Sequence, residues 1–231
     1  MTDSFQQNVR CPGCNTEAPF TIYRSLNVTL DPDAKQSLLS GELFRFTCPS
    51  CGAATQVVYP MLYHDMQRKL MIWLMPDDGD DDLRPERPAP PDPPGIPQGG
   101  AMAGYTARSV GSLNELLEKV LIFDFELDDL ALEMVKIVIA TQLEAAGHPK
   151  DSKIHFARLE RDDKGVEQMV FAVMTPTGAR AAMLPHGEMY TNMAAAATEL
   201  ASRHPPSGKW PLIDAAYLQR LMDLNIAEGG T

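Results

Sequence analysis

The sequence predicts an α+β protein in two parts: a small β-rich module with one inserted helix (residues 1–76), joined by an acidic, proline-rich linker (77–104) to a helix-rich α+β domain (105–231). Three observations predict it. Short alternating apolar segments and two cysteine pairs fill the first part. Composition changes abruptly after Pro76. Beyond Gly104, apolar residues recur with helical spacing between clear cap and stop signals.

Composition narrows the classes further. A chain of 231 residues suits one or two domains, and 44% hydrophobic residues support a packed core. The most apolar stretch, Leu130 to Leu143, is interrupted by Glu133 and Lys136 and is shorter than the roughly 18 apolar residues of a spanning helix. Met1 to Arg10 is polar and carries no signal-peptide core. The expectation is a cytoplasmic protein with no membrane partner.

In the first part, Leu26, Val28 and Leu30 alternate with polar residues as in a half-buried strand. A short helix follows, with Asp31 as cap, Pro32 at its first position and Gly41 as its stop. Phe44 and Phe46 alternate into the second cysteine pair, and Gln56–Tyr63 and Leu70–Met75 read as two further strands. The linker combines five aspartates between Asp77 and Asp82 with seven prolines between Pro85 and Pro97. Repulsion and missing amide donors oppose a packed core there, so it is expected to be disordered.

Ser112 and Glu115 have capping-box spacing, and Leu113, Leu116, Leu117, Val120 and Leu121 form a helical stripe. A second helix is expected over Asp128–Ala146, stopped by Gly147 and Pro149. Its Ile137, Val138, Ile139 and Leu143 exceed one stripe, so it is either central or partly buried in a homo-oligomer. Ile154–Arg161 and Val166–Met174 flank a polar turn ending in Gly165 and read as a hairpin. Helices near Tyr190–Arg203 and Ile213–Asp223 complete the domain.

The chemistry-bearing residues are the four cysteines, Cys11-Pro12-Gly13-Cys14 and Cys48-Pro49-Ser50-Cys51. Four thiolates are what a tetrahedral structural zinc requires, and two-residue spacing lets both sulfurs of a pair reach one ion. The residues after each pair, Asn15 and Gly52, both tolerate the positive φ of a metal knuckle. The module is thus read as zinc-ribbon-like, with Cys11, Cys14, Cys48 and Cys51 as metal ligands and Zn²⁺ as cofactor. Iron accepts the same ligands and is the second choice. A redox dithiol and unliganded core cysteines are the remaining readings, and neither accounts for two matched pairs.

The Cys-Pro-x-Cys pairs, Asn27-Val28 with Asp31-Pro32, Gly41-Glu42-Leu43 and Pro60-Met61-Leu62-Tyr63-His64-Asp65 together resemble the bacterial CpXC domain over about Arg10–Pro76, and more weakly over Gly111–Lys136. The resemblance implies a metal-binding module and no particular reaction.

A histidine beside a carboxylate can act as a general base or occupy a metal position, so His64 and Asp65 could contribute to an interdomain enzyme site. The plainer reading has His64 packing beside the knuckles and Asp65 capping a turn before Met66. Adjacent strand residues point to opposite faces, which opposes a dyad. His148, His155, His186 and His204 lack the spacing of a helical zinc motif, and no phosphate-binding or nucleophile-elbow motif occurs. The methionines Met61, Met66, Met71 and Met75 read as core filling.

Net charge is −11, which opposes nucleic-acid binding. It is unevenly spread: six basic against six acidic side chains up to Met75, two against seven in the linker, and twelve against eighteen beyond. Arg10, Arg24, Arg45, Arg68 and Lys69 could still form a local basic patch. The reading is a non-catalytic zinc-binding adaptor with a protein partner. An enzyme using His64 and Asp65, or a nucleic-acid-binding zinc module, stands as the alternative.

Overall fold

The computed structural model describes residues 2–76, 104–149, 152–176 and 178–227. The mixed α+β chain divides into two compact units, Met1–Leu117 and Glu118–Thr231. Among the described residues no helix is long and apolar enough to cross a membrane.

In the first unit, β1 (Asp3–Arg10) and β2 (Glu17–Asn27) form an antiparallel hairpin. Helix α1 (Pro32–Leu39) follows as expected: Asp31 Oδ1 accepts from the Ala34 amide, Pro32 opens the helix and Gly41 adopts φ 76°. A 3-10 turn at Glu42–Phe44 leads into a second, shorter hairpin, β3 (Arg45–Thr47) with β4 (Ala54–Gln56). Then come β5 (Met61–Asp65), β6 (Leu70–Leu74) and β7 (Thr106–Val110), and the main sheet runs in the order β1-β2-β5-β6-β7. Strands β5 and β6 are buried almost throughout, as central strands covered on both faces should be.

Three expectations change here. Leu30 is 65% exposed, because β2 ends at Asn27 and its Oδ1 accepts from the Thr29 and Leu30 amides to turn the chain. The strand expected over Gln56–Tyr63 is two strands, since Pro60 has no amide to continue a ladder. Thr106–Val110, assigned from sequence to the second domain, pairs in parallel with β6, which places it in the first unit. The expected linker lies outside the described residues, except for Gly104.

Helix α2 (Leu113–Asp124) begins with the anticipated cap: Ser112 Oγ accepts from the Glu115 amide and Glu115 Oε2 from the Gly111 amide. The chain passes from the first unit to the second within this helix. In the second unit, α3 (Asp129–Ala145) precedes an antiparallel sheet of β8 (Lys153–Arg161), β9 (Glu167–Thr175) and β10 (Gly178–Pro185) in the order β10-β9-β8. Helices α4 (Gly187–Arg203) and α5 (Ala215–Ala227) close the fold. One face of α3 packs Leu132, Val135 and Ile139 against Phe156, Met169 and Phe171 of the sheet. Another packs Leu130 and Ala131 against Ala197, Tyr217 and Leu218. Two buried faces account for Ile139 and Leu143 from within the unit, whereas Ile137 is 41% exposed and belongs to neither.

Candidate metal centre

Each cysteine pair sits at the turn of a hairpin, Cys11 and Cys14 between β1 and β2, Cys48 and Cys51 between β3 and β4. The two turns repeat one backbone pattern. Cys11 N–H donates to Thr16 O and Cys48 N–H to Ala53 O; Asn15 N–H donates to Cys11 O and Gly52 N–H to Cys48 O, all at 2.8–2.9 Å. Reversing direction within so few residues needs the left-handed conformation, and Asn15 and Gly52 adopt it at φ 60° and 73°. The Gly13 amide donates to Cys11 Sγ at 3.4 Å within the first turn.

The turns bring all four sulfurs within 4.8 Å of one another. The Cys11–Cys51 distance is 3.7 Å and the Cys14–Cys48 distance 3.6 Å. A tetrahedron with metal–sulfur bonds of about 2.3 Å has sulfur–sulfur edges of about 3.8 Å; these two distances match such an edge, and the remaining ones stay within 4.8 Å. Cys11 and Cys48 are buried with Ala18 and Phe46, flanked by Val9, Phe20 and Val57, while Cys14 and Cys51 face outward. That apolar floor fixes two ligands rigidly, a contribution invisible in the cysteine spacing itself.

The two outward-facing thiols are shifted in opposite directions. The Thr16 hydroxyl and amide draw Cys14 down to about 6. At Cys51 the Ala53 amide lowers the value but the Cys14 and Cys11 sulfurs outweigh it, and the thiol is pushed up to about 12. Four thiolates this close repel, and a divalent cation among them is what lets all four ionise together. The cluster can hold a metal ion.

His64 and Asp65 are not brought together as a dyad. Asp65 is buried; its Oδ1 accepts from the Arg68 amide at 3.0 Å and the Thr29 hydroxyl at 3.5 Å, and its Oδ2 lies 3.5 Å from Arg68 Nη1. Thr29 Oγ1 in turn accepts from the Met66 amide at 2.8 Å. Asp65 therefore caps the β5–β6 turn, as the plainer reading held for it, and ties it to the turn after β2; His64 does not pack beside the knuckles as that reading expected, because it pairs with Asn27 at the end of β2 away from the cysteine turn. His64 lies on β5 with its Nε2 3.3 Å from the Tyr105 hydroxyl, and burial holds its imidazole below the ordinary value. Of the basic residues, Arg10 pairs with Glu17 at 2.8 Å and Arg24 with Asp3 at 3.5 Å.

A second cluster, missed in the sequence, is buried in the other unit. Glu118 accepts from the Phe156 amide and Lys136 Nζ and lies 3.2 Å from His155 Nδ1. Lys136 also donates to Glu133 at 2.9 Å, and Lys119 to Asp129 at 2.9 Å and to Ile213 O at 2.7 Å. The signal was the pair Glu133 and Lys136 inside an apolar run; their partners come from elements the sequence does not align.

No curated protein and no solved structure matches the chain. A family profile described as CpXC protein matches residues 9–136, more than half of the 231 residues, and takes in both cysteine turns, the whole first sheet from Val9 onward and the start of α3. The chain belongs to the CpXC family.

Proposed function

We propose that the four cysteines hold one Zn²⁺ as a structural ion in a zinc-ribbon-like module, and that the protein is a non-catalytic, cytoplasmic adaptor that binds another protein. The observation that carries the metal reading is the convergence of four sulfurs, from two hairpin turns of matching backbone pattern, to within 4.8 Å. Zinc is preferred to iron because an all-thiolate tetrahedral site with a structural role most commonly takes zinc. Four thiolates fill a tetrahedral ion's positions, which favours a structural over a catalytic ion. The commitment of Asp65 to the β5–β6 turn weighs against the enzyme alternative, and the ion pairs of Arg10, Arg24 and Arg68 against the nucleic-acid one. Free thiolates also persist best in a reducing compartment.

Elemental analysis of the full chain purified without added metal tests the ion. The expected result is about one zinc per chain, lost in Cys48→Ser together with much of the first unit's order. Absence of near-stoichiometric zinc or iron, with all four thiols free, defeats the reading. For the adaptor role, the metal-loaded chain should retain one protein stoichiometrically from a native lysate while Cys48→Ser does not; equal retention by both removes the module from that role.

A further inference from the structure

The two edges of the second unit's sheet differ. At the β8 edge, the Phe156 amide donates outward to the buried Glu118 carboxylate at 2.6 Å, a bulge interrupts the register between Phe156 and Arg158, and Lys153, Arg158, Glu160 and Arg161 line the strand. Capping, bulging and charge are the means by which sheets close an edge. The β10 edge has none of them over Ala179–Leu184 except Arg180, and among the described residues no strand lies beyond it.

The register shows what this edge offers. His186 N–H donates to Glu167 O at the foot of the hairpin, so the residues that hydrogen-bond to β9 are Arg180, Ala182 and Leu184. Ala179, Ala181 and Met183 then aim their N–H and C=O groups outward. Ala182 and Leu184 pack toward the core, which puts the side chains of Ala179, Ala181 and Met183 on the outer face, where Met183 is 47% and Met174 44% exposed. A row of backbone donors and acceptors flanked by small apolar side chains is complementary to another extended strand.

We propose that β10 pairs antiparallel with β10 of a second copy of this chain, joining two three-stranded sheets into one of six strands. The strand is self-complementary in that arrangement. Centred on Ala181, the pairing sets Ala181 against Ala181 of the second copy, each Met183 against an Ala179, and each Arg180 against an Ala182. Large side chains meet small ones and the two Arg180 guanidiniums stay apart. Gly178 and Pro185 bound the strand, and Pro185 has no amide to extend the pairing. The interface is small, so the dimer belongs to the weak class, with Kd on the order of 10–100 µM. This pairing does not depend on the metal reading, since the edge lies in the other unit.

Sedimentation velocity of the full chain over about 1–300 µM tests it at the affinity expected. The wild type should pass from monomer to dimer. Ala181→Lys and Ala181→Glu each put two like charges face to face at the centre and should each weaken the dimer about tenfold or more. An equimolar mixture of the two variants should dimerise again at least as well as the wild type, which a misfolded variant could not do. A wild type that stays monomeric at about 300 µM, a dimer that Ala181→Lys leaves intact, or a mixture that does not re-associate overturns the proposal.

Discussion

Replacing Glu118 with glutamine should cost far more stability than the same change at Glu133, although both carboxylates are buried in one cluster. Three carboxylates (Glu118, Asp129, Glu133) share two ammonium groups (Lys119, Lys136), with His155 beside them, so Glu118 and Glu133 compete for Lys136. Geometry decides between them. Glu118 uses both oxygens on a backbone amide, Lys136 and His155 at 2.6–3.2 Å, whereas Glu133 has Lys136 at 2.9 Å and Lys119 only at 3.9 Å. Burial raises both acids; at Glu118 the charges of Lys136 and His155 prevail and hold it at about 2, while at Glu133 burial prevails and the value is raised.

Against an ordinary glutamate value of 4.5, a native value of about 2 makes ionised Glu118 worth about 3 kcal/mol. Glutamine stands in for the neutral acid, so Glu118→Gln should lose about that much at pH 8, while Glu133→Gln should fall within about 1 kcal/mol of its parent or above it. The acids have opposite signs with pH. Glu118's contribution is present above pH 4.5 and lost as pH falls toward 2. Glu133 favours its protonated form, so stability falls as pH rises through its raised native value. Glu118→Gln should therefore flatten the loss of stability below pH 4.5, and Glu133→Gln the decline that sets in above it. Urea unfolding followed by Trp210, buried in the second unit, in a Trp73→Phe parent measures both. At a typical urea slope, 3 kcal/mol moves the midpoint by about 2 M. Equal losses, or a larger loss in Glu133→Gln, would refute the assignment.

Two further outcomes follow from the first unit. Asp65→Ala removes the acceptor of the Arg68 amide and the Thr29 hydroxyl, and should destabilise that unit by about 2 kcal/mol in urea unfolding read by Trp73, with metal content unchanged; unaltered stability would reopen a functional role for Asp65. Asn15→Val forces a β-branched residue to φ 60° in the first cysteine turn, at a cost of about 1–2 kcal/mol, and should speed metal loss to a chelator, whereas Asn15→Gly should match the wild type.

Most of the helices were legible because their signals are local. The Asp31-Pro32 start and Gly41 stop of α1, the Ser112 and Glu115 cap of α2, and the Asp128 cap of α3, whose Oδ1 accepts from the Ala131 amide, are each complete within a few residues. Three strands were not. β1 is an exposed edge strand whose polar sequence carries no alternation to read, and it exists because β2 supplies its ladder. β7 is too short to declare itself and is recruited by β6. β10 was assigned no element from the sequence; its alanines are poor strand formers, yet pairing with β9 holds it extended.

The four cysteines, their tight turns and the residues tolerant of positive φ are properties of short segments, and the sequence by itself determined that Cys11 pairs with Cys14 and Cys48 with Cys51 as two knuckles. That the knuckles meet at 3.6–3.7 Å over a floor of Ala18 and Phe46 was decided by the tertiary structure. So were the commitment of Asp65 to a turn rather than to His64, the partners of Glu118 and the place of β10 at the edge of its sheet among the described strands. The physical reason is common to all of them. A turn or a cap is specified by neighbours along the chain, whereas the ionisation of a buried acid, the closure of a ligand set and the exposure of an edge depend on groups brought from distant segments when the core forms.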